Sequence, residues 1–223
     1  MTRFFLASIF LVTVVLSIAS QDRGYTRAKE WERDMAEFAD IDRRQTPPKD
    51  PVVFAGSSTI RLWVGLRTDF PDHNVINRGF GGSRLDDLVY FSPQILLPYK
   101  PKTIVVYSGE NDIEAKESAE NALADFKALV DFRDKNLPKT RIIFISMKPS
   151  ILRWSIWPEM KRGNDLIREE ASRRKNVRFA DISEKMLGPN GSKPATDLFV
   201  ADGLHLSRKG YDVLRAAVLP HLK

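Results

Sequence analysis

A chain of 223 residues with 43% hydrophobic and 29% charged residues fits one globular domain and is long enough to bury a large core. The formal charge of +6 is dispersed: the densest basic stretch, residues 161–178, contains Glu169 and Glu170 and no interleaved aromatics, so a solvated helix face is expected there and no nucleic-acid partner. The absence of cysteine excludes disulfides, a thiol nucleophile, a lipobox anchor and thiolate metal sites.

Residues 1–19 read as a secretory signal. Arg3 supplies a positive start, Phe4 to Val15 an almost unbroken apolar run, and Ser17-Ile18-Ala19 the small residues a signal peptidase reads. The run is short for a bilayer span of about 20 residues. Cleavage and a secreted or periplasmic address are therefore expected, with no stable membrane span afterwards; an uncleaved anchor is the alternative. Residues 20–48 form a helical arm, in which the spacing of Trp31, Met35 and Phe38 predicts a helix over 24–40 with one face packed on the core. Thr46-Pro47-Pro48 ends the arm, and residues 49–223 form the main domain. Five short runs rich in β-branched or aromatic residues predict strands: Val52–Ala55, Val75–Asn77, Thr103–Tyr107, Arg141–Met147 and Val177–Ala180. Between them, Leu85–Leu97, Ser118–Lys135 and Pro158–Arg174 carry helical periodicity. A last helix starts at Ser207, with Leu206 and Tyr211 placed as a hydrophobic staple. Alternating strands and helices predict a parallel sheet covered on both faces, with ligands bound beyond the carboxyl ends of the strands.

The chemistry-bearing residues follow those strand ends. After the first strand comes Gly56-Ser57-Ser58, where a serine either caps the next helix or acts as a nucleophile. The lipase-type G-x-S-x-G elbow is absent, because Ile60 stands where its second glycine would be. After the second strand, Asn77-Arg78-Gly79-Phe80-Gly81-Gly82-Ser83-Arg84 makes a tight loop whose N–H groups can bind an anion, or a plain turn. After the third lies Gly109-Glu110-Asn111-Asp112, where Asn111 is a turn residue or an amide donor to an oxyanion. Near the end, Asp202-Gly203-Leu204-His205 spaces a carboxylate three residues ahead of an imidazole, which can fix the histidine tautomer and leave a base. Together these provide a nucleophile, a base, an orienting acid and anion-stabilising donors, the set acyl transfer needs.

In these four blocks, and in their order from about Val52 to about Leu222, the chain resembles the SGNH/GDSL hydrolase family. The resemblance implies a three-layer α/β/α sandwich on a flavodoxin-like, five-stranded parallel sheet. It implies Ser58 as nucleophile with Asp202 and His205 completing the triad, and an oxyanion hole from Ser58, Gly82 and Asn111. The first block departs from the family's G-D-S, with Ser57 in place of the aspartate; that aspartate is not the triad acid. Neither a metal nor another cofactor is required. Ser57, Phe80, Trp154 and Trp157 are candidate substrate contacts, the tryptophans because Lys148–Pro158 follows the fourth strand and should border the site. The expected partner is a small-molecule or carbohydrate ester, with short acyl groups favoured because no lid insertion is visible. The oligomeric state is not legible. Competing readings are an O-acyltransferase using the same acyl-enzyme, a non-catalytic carbohydrate-binding domain, and a metal phosphoesterase built on Glu110, Asp112, Asp202 and His205.

Overall fold

The computed structural model describes residues 25–223. The expected signal segment, residues 1–19, lies outside them, as do the first residues of the arm. The arm starts with a 3-10 turn, Ala28–Trp31, and continues as helix α1, Glu32–Arg44, which is four residues longer at its carboxyl end than the pattern predicts. The elements then follow in the order β1 (Val52–Gly56), α2 (Ser58–Arg61), α3 (Leu66–Asp69), β2 (Val75–Gly79), α4 (Leu85–Ile95), β3 (Thr103–Tyr107), α5 (Glu110–Glu114), α6 (Ala119–Asn136), β4 (Arg141–Ile145), α7 (Trp157–Arg173), β5 (Val177–Ala180), α8 (Ser183–Met186) and α9 (Arg208–Val218).

All five strands pair in parallel, in the order β2-β1-β3-β4-β5. Their side chains alternate between two layers. Val53, Ala55, Ile104, Val106, Ile142 and Phe144 pack against Trp31 and helices α1, α4, α6 and α7. Val52, Phe54, Val105, Tyr107, Ile143 and Ile145 pack against α2, α3, α8 and α9. The result is the expected three-layer sandwich. Both faces are covered, which is why the strands read as continuous apolar runs rather than alternating ones.

Local chemistry sets the boundaries. β1 and β2 each run one or two residues past the prediction, into Gly56 and Gly79, because these glycines keep the backbone in pairing register at close approach. β4 stops at Ile145 rather than Met147, since the Met147 N–H turns away to the Asn164 side chain of α7 at 2.8 Å. Ser118 and Ser207 cap α6 and α9 by accepting from the Asn121 and Gly210 N–H groups at 3.2 and 3.3 Å. Leu206 and Tyr211, the expected staple, are buried in one cluster. Among the described residues, no helix is long and apolar enough to cross a membrane.

The strand order locates the crevice. From β1 the chain moves to β2 on one side, then crosses to β3 on the other side of β1. The carboxyl end of β1 is thus the topological switch point, where open parallel sheets bind ligands.

Candidate active site

Ser58 stands at that switch point. β1 closes on Gly56 at φ +133°, and a Cβ there would lie 2.0 Å from the Tyr107 carbonyl oxygen of β3. Only glycine therefore lets the chain turn out of β1 while β1 and β3 stay this close. Ser57 is packed into the turn: it is 3% exposed, its N–H donates to the Tyr107 carbonyl at 3.0 Å, and its own carbonyl accepts from Ile60 and Arg61. Ser58, the first residue of α2, is half-buried and places its Oγ 3.1 Å from His205 Nε2. Of the two adjacent serines, Ser58 is the one beside the imidazole.

His205 and Asp202 form a tight turn before α9. Gly203 takes φ +66°, a left-handed position that suits glycine. One Asp202 oxygen accepts the Leu204 and His205 N–H groups at 2.8 and 2.9 Å, and the other lies 2.6 Å from His205 Nδ1. The imidazole contact and then the Leu204 N–H hold the Asp202 carboxyl down at about 2. It is therefore ionised at neutral pH and accepts only. Nδ1 is therefore the donor in this contact, and in the neutral imidazole that tautomer turns the Nε2 lone pair toward Ser58.

The two glycine- and asparagine-bearing loops leave strands that flank β1 in register, with Gly56 opposite both Gly79 and Tyr107. Gly82 is exposed at φ +80°, and nothing lies within 4 Å of where its Cβ would be. Glycine is needed there for backbone conformation rather than for space. Asn111, in the first turn of α5, donates from Nδ2 to the Ser83 carbonyl at 2.9 Å, tying the third-strand loop to the second. That bond occupies one of the two amide protons. Among the described residues, the Ser58 and Gly82 N–H groups donate to no protein acceptor.

A buried charged network backs Asn111. Arg153 Nη1 donates to Asn111 Oδ1 at 3.0 Å, lies 3.6 Å from Glu110 and places Nε 3.3 Å from Glu114. Lys148, 1% exposed, reaches Glu110 at 2.6 Å and the Tyr107 hydroxyl at 3.2 Å, and that hydroxyl donates to Glu110. Burial pushes the Tyr107 hydroxyl pKa up and the Lys148 ammonium pKa down. Each buried charge has an opposite partner, without which its burial would be strongly unfavourable.

The segment after β4 borders the site as expected. Ile151 and Leu152 donate backbone N–H groups to the Gly203 carbonyl, both at 3.0 Å, while Arg153 reaches Asn111. Three proposed contacts need correction. Ser57, 3% exposed, is packed into the turn after β1 and presents no substrate surface. Phe80 has no exposed surface and is stacked edge-on by Trp31 and Phe91, so it belongs to the core. Trp157 is 7% exposed among Ile113, Met147 and Met160, and is also core. Trp154 rests half-buried on that cluster and keeps an accessible face. The metal set Glu110, Asp112, Asp202 and His205 does not assemble. Among the described residues, the carboxylates close enough to share an ion are instead Asp112, Glu117 and Asp125. Of these, Asp112 accepts from the Leu85 N–H at 3.0 Å and Glu117 pairs with Arg84 at 3.0 Å. Motif reading missed the Arg153–Asn111 and Lys148–Glu110 contacts. A buried acid one residue before the asparagine, needing a cation from elsewhere, was the available signal.

Comparison with known proteins agrees with this fold. Residues 53–213 match the model of the GDSL-like lipase/acylhydrolase family. No protein of curated function matches the chain. Among solved structures, one from Streptococcus pneumonia named for platelet activating factor is similar at TM-score 0.77 and 21% identity, over 87% of this chain and 94% of that one. A GDSL-like lipase from Bacteroides thetaiotaomicron is similar at TM-score 0.71 and 19% identity, over 84% and 96%. A carbohydrate esterase of family 3 from Talaromyces cellulolyticus is similar at TM-score 0.62 and 15% identity, over 78% and 96%. At these identities the likeness speaks for the fold; the family match covers most of the chain. The chain therefore belongs to the SGNH/GDSL hydrolase family and is a carboxylic ester hydrolase.

Proposed function

We propose that the protein hydrolyses short acyl esters, acetyl esters of carbohydrates among them, through an acyl-serine intermediate on Ser58. The observation that carries this reading is the hydrogen-bonded line from Ser58 Oγ to His205 Nε2 at 3.1 Å and from His205 Nδ1 to Asp202 at 2.6 Å. In the proposed cycle, His205 takes the Ser58 proton as Oγ attacks the ester carbonyl. Asp202, already ionised, stabilises the imidazolium without taking its proton. The oxyanion is met by the Ser58 and Gly82 N–H groups and by the second amide proton of Asn111. His205 returns the proton to the leaving alcohol, and water repeats the sequence to free the acid. Each step moves one proton to or from His205 Nε2, and water supplies the hydroxyl of the released acid.

The short-acyl preference is supported by the framing of the site. Trp154, next in sequence to the Arg153 that reaches Asn111, is half-buried and keeps an accessible aromatic face. A sugar face or a small acyl group suits such a surface better than a long chain. The likeness to the Talaromyces carbohydrate esterase points the same way. The test is a panel of p-nitrophenyl esters from acetate to palmitate, run on wild type and Ser58→Ala. The expected result is activity falling with chain length in the wild type and loss of turnover in the variant. Equal turnover in both proteins would remove Ser58 from its role, and a preference for palmitate would overturn the substrate class.

A further inference from the structure

The arm lies ahead of the family-matched residues 53–213, yet it reaches the loop that carries Gly82. Trp31 is 3% exposed, packs edge-on against Phe80 with ring centroids 5.8 Å apart, and donates its indole N–H to the Gly81 carbonyl at 3.0 Å. A buried indole N–H needs an acceptor, which explains the bond from the side of the tryptophan. Its consequence for the loop is more specific. The Gly81 carbonyl and the Gly82 N–H belong to one peptide unit, and in a planar trans peptide the two point in opposite directions. Holding the carbonyl toward the arm therefore aims the N–H away from it. Bonding at the carbonyl also polarises the unit and strengthens the N–H as a donor.

This peptide has few other restraints. It joins two glycines, the second at φ +80°, with nothing packed where the Gly82 Cβ would be. Without an external bond, rotation of the unit is easy. The arm also grips the far side of the loop. Asp87, in the first turn of α4, accepts the Arg84 N–H at 2.7 Å and the Tyr25 hydroxyl at 2.6 Å, and pairs with Arg27 at 3.0 Å.

We propose that Trp31 is a positioning residue for ester hydrolysis: through the Gly81 carbonyl, the arm sets the direction of the Gly82 N–H that meets the oxyanion. This rests on the Ser58 reading above, so the test carries Ser58→Ala alongside. Two variants of the full chain separate donation from packing. Trp31→Phe keeps an aromatic ring against Phe80 without the N–H, and replacement by 3-benzothienylalanine keeps the size and shape of indole without it. With p-nitrophenyl acetate, both should lower kcat by about 5- to 30-fold, a fraction of the roughly 10²–10³ that loss of a whole oxyanion donor costs. KM should stay within about twofold, and inhibition by phenylboronic acid, whose tetrahedral adduct presents an oxygen to the same donors, should weaken in parallel with kcat. An unchanged kcat in the benzothienyl variant would overturn the proposal, even if Trp31→Phe is impaired, because packing alone would then explain Trp31. A rise in KM at constant kcat would overturn it too. Either result with Ser58→Ala inactive strikes Trp31 alone; turnover by Ser58→Ala would remove the underlying reading as well.

Discussion

Replacing Asp202 by asparagine isolates its electronic role from its structural one. One Asp202 oxygen accepts two backbone N–H groups, from Leu204 and His205, and the amide oxygen of the variant can keep both bonds. The turn should therefore persist, with Gly203 still anchored to Ile151 and Leu152. The change falls on the contact to His205 Nδ1 at 2.6 Å, where an acceptor becomes an NH₂ donor. Nδ1 must then accept, the proton moves to Nε2, and Nε2 loses the lone pair that faces Ser58 Oγ at 3.1 Å. The charge that stabilises the imidazolium disappears in the same step. A wrong tautomer in intact geometry lowers kcat by about 10³–10⁴, equivalent to about 4–5.5 kcal/mol of barrier. The assay is steady-state hydrolysis of p-nitrophenyl acetate by the purified variant, with a thermal melt to show that the fold is kept. A well-folded variant within about tenfold of wild-type kcat would refute the reasoning.

Further expectations follow from other contacts. Arg153→Met should lower kcat by about tenfold with little change in KM, because it releases Asn111 Oδ1 but leaves the Glu110–Lys148 pair in place. Arg153→Lys should recover only part of that loss, since a lysine lacks the planar fork. Burial raises the Asp112 carboxyl from its ordinary 3.8 to about 8, so between those values the native state holds a proton that the unfolded state has released. Stability contributed at this site must then fall as pH rises from about 4 to about 8, and calorimetry should show Asp112→Asn gaining melting temperature relative to wild type across that interval. Gly56→Ala would put a Cβ 2.0 Å from the Tyr107 oxygen at φ +133°, and should cost about 3 kcal/mol or more, lowering the melting temperature by about 6–12 °C.

The layered fold was legible because strand and helix alternate with clear periods. The β-branched runs ending in Gly56 and Tyr107 could hardly be anything but buried strands. Ser58, Asp202 and His205 stood out in the sequence for a different reason: each lies at a strand end or a turn, where a polar residue is not already explained by packing, and the fold brings their side chains into one hydrogen-bonded line. Roles that depend on side chains meeting across the fold were not legible. Trp31 read as a core residue, and it is one, but the acceptor of its indole N–H lies 50 residues away. Arg153 reaches Asn111 over 42 residues, and no local pattern encodes that distance. Phe80 and Trp157 were misplaced because proximity to a motif in sequence does not decide which way a side chain turns. Phe80 turns under the loop to meet Trp31, and Trp157 opens α7 with its ring against Met160 and Met147.

The nucleophile is tested most directly by covalent trapping. The full chain would be treated with a p-nitrophenyl phosphonate ester, digested, and the modified peptide sequenced by mass spectrometry. A single adduct on Ser58, abolished by His205→Ala, is the predicted result. An adduct on Ser57, or modification of Ser58 at the same rate without His205, would contradict the account.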